Sequence, residues 1–103
     1  MNQLELGQII AIRDLEFDGN SVRVSIGIPR QEPGGTDYVC PYEIFGPLTK
    51  KAFYAMGIDA IQALHLAMKT IDAELDVCAE RKTGRLTWLG GQDLGFPSWK
   101  IEQ

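Results

Sequence analysis

The sequence is short of the residues that most often carry catalysis or bind metals. Its 103 residues include one histidine, His65, and two cysteines, Cys40 and Cys78. No CxxC, HxxxH or HExxH spacing occurs, although such spacings are what allow one element to share a metal ion between side chains. On a helix, His65 and Cys78 stand about 140° apart, so they cannot bind one ion. We predict no catalytic residue, no metal site and no cofactor.

The chain also lacks an excess of positive charge and any long apolar run. The sequence has ten Lys and Arg residues and fourteen Asp and Glu residues, which give a net charge of −4 and a pI near 4.8. A nucleic-acid surface needs a basic patch, and a membrane span needs about 18 consecutive apolar residues. The opening residues, MNQLELGQII, carry no basic start or cleavage site. We therefore expect a cytoplasmic protein that binds neither nucleic acid nor membrane, with two free, buried thiols.

One strongly periodic stretch, Ile58–Ala79, dominates what is present. Its apolar residues recur at steps of three and four, which predicts a helix over about 58–80 lying on a core. Asp59 can accept from the free N–H groups of the first turn and is the predicted N-cap. Gly57 fits a sharp change of chain direction. The predicted core stripe is Ile61, Leu64, Met68, Ile71, Leu75 and Cys78.

A second apolar row follows the back of the same helix, where lysines and glutamates are usual. Its members are Ala63, Leu66, Thr70, Ala73 and Val77. A helix that is apolar on two sides is usually covered on two sides. Two coverings stay open at this point, namely the C-terminal tail and a partner subunit.

Strands precede the helix. Ile10 and Ile12 are out of phase with Leu15 and Phe17, which predicts a β-bulge near residues 13–14 that sets Ile12 opposite Val24 and Ile10 opposite Ile26. Asp18-Gly19 forms the turn that leads into a second strand.

The third strand runs from Asp37 to Phe45, and Pro41 places it at an edge or makes it irregular there. Residues 51–56 are either a fourth strand, which we favour, or a helical turn. Residues 85–89 form a short fifth strand or extended segment. One domain, 1–103, follows: an α+β fold with an antiparallel sheet of four to five strands, one long helix on one face, and an irregular tail folding back on the helix.

The functional expectation is a non-catalytic protein-interaction module. Its possible surface is Gln62, His65, Lys69, Asp72, Asp76, Asp93, Phe96 and Trp99. An unknown protein partner is possible, and the chain is expected to be a monomer or weak homodimer. One alternative is a ligand-binding or enzymatic domain with a pocket between sheet and helix, with His65 and Tyr42 or Tyr54 at its mouth. A second alternative, by analogy of fold and charge, is an immunity-type protein that neutralises a toxin.

Two segments carry a resemblance to a known family. The run from Gly57 to Ala67, GIDAIQALHLA, and the closing DLGFP of residues 93–97 resemble a family of small bacterial proteins known as a domain of unknown function. The resemblance spans about Ile10 to Pro97. It implies a cytosolic bacterial protein and brings no activity, cofactor or ligand with it.

Overall fold

The computed structural model of the chain describes residues 5–99 and shows an antiparallel sheet with one long helix on one face. The strands are β1 (Ile9–Phe17), β2 (Asn20–Gly27), β3 (Arg30–Gln31), β4 (Tyr38–Phe45), β5 (Lys50–Gly57) and β6 (Leu86–Thr87). The helices are α1 (Ala60–Val77) and the short α2 (Ala79–Lys82). The predicted fold class is confirmed, and residues 51–56 belong to a strand.

Strand β4 lies inside the sheet and changes partner along its length. One of its edges pairs with β5 throughout, while the other pairs with β2 at Tyr42–Phe45 and with β3 at Tyr38 and Val39. Strands β1 and β6 continue the sheet beyond β2. Pro41 falls between the β2 and β3 pairings, where its missing N–H removes no ladder hydrogen bond. The predicted irregularity at Pro41 is confirmed.

The predicted position of the β-bulge was wrong. Phe17 opposes Asn20 and Leu15 opposes Val22 as expected, but the ladder continues regularly so that Arg13 opposes Val24. The register shift lies between Ile9 and Ala11. Arg13 therefore shares the helix-facing side of the sheet with Leu15, and Ile12 lies on the other face with 51% of its surface exposed.

Helix α1 rests on β4 and β5 through a buried row of small and branched residues. That row is Ala63, Ala67, Ile71 and Leu75, all with 0% exposure. Asp59 Oδ1 accepts from Gln62 N at 2.7 Å, which confirms the predicted N-cap. Ile61 was wrongly assigned to the core, because it is 80% exposed. The buried stripe is rotated toward the alanines, whose small side chains let the helix approach the sheet closely.

The long helix ends earlier than predicted. Its last residue is Val77, and Cys78 adopts an extended backbone (φ −70°, ψ 158°) before α2 begins. This break turns Glu80 inward, where its carboxylate holds the turn between β4 and β5. No helix within residues 5–99 is long and apolar enough to cross a membrane.

The C-terminal tail folds back on the helix at only one flank. Leu94 is buried in the core, and Phe96 packs against it. Farther along, the Lys69 ammonium lies 4.7 Å from the centroid of the Trp99 ring. Ala73 and Val77 stay exposed, so the described part of the tail does not cover the back of the helix.

Candidate functional site

Arg13 anchors the tail to the sheet. Its guanidinium carbon lies 3.9 Å from the centroid of the Trp88 ring and 4.8 Å from that of Phe96. Its Nη1 donates to the Leu94 carbonyl oxygen at 3.0 Å. A cation over an aromatic face is attracted by the negative charge of the ring's π-system. These contacts explain why a charged residue is stable on the inner face of β1.

The tail can pass this close only because residue 95 is glycine. Gly95 has a φ of +82°, and a Cβ there would lie 2.5 Å from the Trp88 ring and 2.7 Å from Arg13 Nη1. Just before it, Asp93 Oδ1 accepts from Gly95 N at 2.9 Å. This is a local turn in which an aspartate side chain caps the backbone two residues on. The DLGFP segment therefore closes over Arg13.

A pocket of about 140 Å³ lies between the sheet, the helix and this segment. We call it the Arg13 pocket, and it is lined by Ala11, Ile12, Arg13, Val24, Ile26, Met68, Gly95 and Phe96. Its walls are apolar, and Arg13 is the one charged side chain among the described residues that line it. Such a lining suits a small apolar molecule with a negative group.

The residues of the predicted interaction surface fall into three groups. The helix members Gln62, His65, Lys69, Asp72 and Asp76 follow the side of α1 that faces away from the sheet. Among them, Gln62 accepts from Ile58 N at 2.8 Å and so helps to begin the helix. Trp99 joins this group through Lys69, whereas Phe96 belongs to the Arg13 pocket and Asp93 to its own turn. The structure does not gather them into one site.

The predicted pocket with His65 and a tyrosine at its mouth is not formed. Tyr42 is completely buried in the core, and Tyr54 opposes Pro41 on the other face of the sheet. His65 is exposed on the helix. These three side chains therefore face three different surroundings.

Tyr42 carries a buried hydroxyl with no hydrogen-bond partner among the described residues. Burial, and then the charge of Glu74, raise the pKa of Tyr42 to about 12. An unsatisfied buried polar group destabilises the folded state. We expect Tyr42→Phe to leave the free energy of unfolding unchanged or to raise it by up to about 1 kcal/mol, measured by urea denaturation.

Tyr54→Phe is the matched control, since Tyr54 is only half-buried. The centroid of its ring lies 4.9 Å from that of the Phe53 ring. The control should unfold like the wild type. A clear loss of stability in Tyr42→Phe alone would mean that the hydroxyl has a bonding partner, against this account.

Glu80 is a buried group that the sequence did not reveal. It is 0% exposed and accepts from Leu48 N at 2.7 Å and from the Thr49 hydroxyl. Burial opposes its ionisation, but these hydrogen bonds outweigh burial and lower the pKa of Glu80 below its ordinary value. Gly46 leaves room for this carboxylate, because a Cβ at residue 46 would lie 2.6 Å from the Glu80 carboxylate oxygen. The role of Glu80 is to hold the β4–β5 turn against α2.

Strand β5 gives the sheet a free edge of eight residues. Strand β5 pairs with β4, and no described strand pairs with its other edge. Helix α1 runs back along β5, since Gly57 meets the helix at Ala63 and Lys51 forms an ion pair with Glu74 at 3.2 Å. The apolar side chains on this flank are Phe53, Leu66, Ala73 and Val77. We call this set, together with the edge of β5, the open flank.

A protein-family model, described as a domain of unknown function (DUF6968), matches residues 11–98. The chain belongs to this family. The match confirms the resemblance predicted from the sequence and includes both Arg13 and the DLGFP segment. Neither the curated proteins nor the solved structures gave a match. Membership in the DUF6968 family brings no activity with it.

Proposed function

We propose that this chain is a non-catalytic protein-interaction module that works by adding a β-strand to the free edge of β5. The observation that carries the proposal is the open flank, in which eight residues of unpaired strand edge lie beside an apolar side of α1. An unpaired edge presents N–H and C=O groups that pair readily with another strand. Addition of a strand is a common mode of protein recognition.

The non-catalytic part of the proposal draws support from the state of the reactive groups. Burial raises the pKa of the Cys40 thiol to about 11 and also raises that of Cys78, so neither forms a thiolate nucleophile near neutral pH. His65 is exposed on the helix, whereas both thiols are buried. Within residues 5–99, no three His, Cys, Asp or Glu side chains stand close enough together to hold a metal ion.

The partner that the open flank fits best is a second copy of the chain. The two exposed lysines of β5, Lys50 and Lys51, lie at the N-terminal end of the strand. In an antiparallel pair of β5 strands, each copy's lysines therefore lie opposite the uncharged end of the other strand, near Met56 and Gly57. Like charges do not meet, and such meetings are what destabilise a strand pair.

The position of the helix favours the same arrangement. Neighbouring strands lie about 4.8 Å apart. A helix axis that lies midway over β4 and β5 is therefore displaced about 2.4 Å from β5 toward β4. Joining two copies at β5 then brings the two helices to about 10 Å, which is the upper end of the spacing of packed helices. Ala73 on the facing flank is small enough to allow that approach. The second apolar row of the helix is thereby covered by its counterpart.

The test is sedimentation of the full chain over a range of concentrations. We expect reversible dimers, and we expect Ala73→Lys to weaken them at least tenfold, or by about 1.4 kcal/mol, because two added cations meet across the pair. His65→Lys is the matched control, since it adds the same charge to an exposed position of the same helix, about 80° farther from β5 than Ala73.

Two results would contradict the proposal. One is a wild-type chain that stays monomeric at about millimolar concentration, where even weak dimers form. The other is a dimer that Ala73→Lys and Phe53→Lys leave unchanged, since this would place the contact away from the open flank.

We further infer that the protein works in the bacterial cytoplasm. Its two cysteines are free and buried, which fits a reducing compartment. The bacterial source rests on the sequence resemblance alone. Detection of the protein in the soluble cell fraction of its host tests this location.

A further inference from the structure

Arg13 is a half-buried cation whose charge no carboxylate neutralises within the described residues. The ion pairs found among the described residues join other side chains, namely Arg23 with Asp14, Lys51 with Glu74, and Arg85 with Asp18. With the residues that the structure describes, Arg13 makes one hydrogen bond, to the Leu94 carbonyl oxygen. Most of its N–H donors therefore have no protein acceptor in the part of the chain that the structure describes.

The space beside Arg13 is apolar and small. Val24 and Ile26 form its floor, Met68 one wall and Phe96 another. Its volume of about 140 Å³ is close to the ~150 Å³ cavity that accommodates a benzene ring in a well-studied engineered protein. A strongly hydrated anion such as phosphate does not suit these walls, whereas a ring or a short branched chain does.

We propose that the Arg13 pocket binds a small monocarboxylate with an apolar body, its carboxylate on the free side of Arg13. The guanidinium is planar and matches a carboxylate with two parallel hydrogen bonds. The guanidinium carbon lies over the Trp88 and Phe96 rings, and these contacts hold the group in place before the ligand arrives. The ligand's apolar body then lies on Val24, Ile26 and Met68.

The proposal is independent of the open flank. The pocket lies on the β1 side of the helix, with Met68 in its wall, whereas the open flank lies along β5. A monomeric chain would still bind the carboxylate, and a chain with a blocked pocket would still form dimers.

Benzoate is the probe, followed by NMR of the ¹⁵N-labelled full chain, with benzamide as the neutral molecule of the same shape. We expect saturable shifts at Ala11, Met68 and Phe96, with a dissociation constant of about 1 mM or below, because so few atoms make contact. Benzoate should bind at least tenfold more tightly than benzamide. Equal affinities, shifts that do not saturate, or shifts centred elsewhere would overturn the proposal.

A variant that fills the pocket keeps the test independent of folding. Ala11→Leu adds apolar bulk to the lining while Arg13, Trp88 and Phe96 are all kept. It should lower benzoate affinity at least tenfold while the ¹⁵N spectrum remains that of a folded chain. Arg13→Lys keeps the charge but loses the planar pair of hydrogen bonds, so a smaller loss is expected. Arg23→Gln removes an exposed cation of the same sheet and should change nothing. Unaltered binding in Ala11→Leu would refute the site.

Discussion

Replacing Glu80 with alanine is expected to lower the free energy of unfolding by about 3 kcal/mol, because two donors lose a buried, charged acceptor. Leu48 N and the Thr49 hydroxyl both donate to this carboxylate, which is 0% exposed in the folded chain. For a chain of this length, such a loss lowers the melting temperature by about 10–20 °C. Urea denaturation and thermal melting both measure it.

The control is Asp14→Asn, which removes an exposed carboxylate paired with Arg23. Exposed ion pairs contribute little, so this variant should melt close to the wild type. A Glu80→Ala variant with the melting temperature of the wild type would show that Glu80 does not stabilise the β4–β5 turn.

The same residue gives a pH dependence with a definite sign. The folded-state pKa of Glu80 lies below its ordinary value of 4.5, so the unfolded chain takes up the proton first as the pH falls. The stability contributed by ionised Glu80 is complete above that ordinary value and is lost as the pH falls through the folded-state pKa. The advantage of the wild type over Glu80→Gln should therefore shrink in acid. A difference that stays constant with pH would contradict this assignment.

Replacing Gly57 with alanine is expected to cost about 3 kcal/mol, since overpacking against rigid backbone is among the expensive core changes. A Cβ at this position would lie 2.4 Å from Ala63 N and 2.9 Å from the Gln62 carbonyl carbon. Both atoms belong to the first turn of α1, which cannot yield without losing the Asp59 cap. The sequence suggested a change of chain direction at Gly57, and the structure adds that the helix rests directly on it.

Gly35→Ala is the matched control for this second variant. Its Cβ would meet nothing closer than 3.7 Å, and its backbone is not in the left-handed region. Chemical denaturation of both variants should separate them by most of the expected 3 kcal/mol. Equal stabilities would mean that the helix moves away from β5 at little cost.

The parts of the fold that follow local rules could be predicted from the sequence. The Asp59 cap, the Asp18-Gly19 turn and the opposition of Leu15 to Val22 depend on neighbours in the chain, and all three are present. The strand at residues 50–57 was predictable because the cap placed the helix after it. The turn at Asp93 also follows from its own local chemistry.

The errors concern charged residues that face inward. Sequence patterns place charged side chains on the solvent-exposed face of an element. For this reason Arg13 was assigned to a bulge and Glu80 to the end of the long helix. Both are stable inside because distant residues satisfy them: Trp88, Phe96 and the Leu94 carbonyl for Arg13, and Leu48 and Thr49 for Glu80. Such partners lie far apart in the chain, and periodicity within one segment contains no information about them. The Arg13 pocket could not be predicted for the same reason.

The second apolar row of the helix was placed wrongly in part. Ala63 belongs to the buried core row, and Ala73 and Val77 lie toward β5, whereas the side of the helix that faces away from the sheet is polar. The helical periodicity placed Ala73 and Val77 on one side of the helix. It could not show that the C-terminal tail would pack along the opposite side. Which flank the tail follows is decided by the contact of Arg13 with Phe96 and Leu94. The open flank is therefore a consequence of where Arg13 lies.

Pro41 has a bearing on how chain length can vary in this fold. The β2 pairing of β4 ends beside Pro41, and the segment from Ile28 to Asp37 continues beyond it. This segment is joined to the rest by the short β3 ladder and, at its start, by hydrogen bonds from Ile28 N to the Gln8 carbonyl and from Arg30 to the Glu5 carbonyl. Added or deleted residues in the Pro33–Thr36 turn change that segment and leave the register of β2 on Tyr42–Phe45 intact. Longer turns cost only the slowly growing entropy of loop closure. This is the place where relatives of different length, or an inserted peptide tag, can be accommodated without disturbing the core.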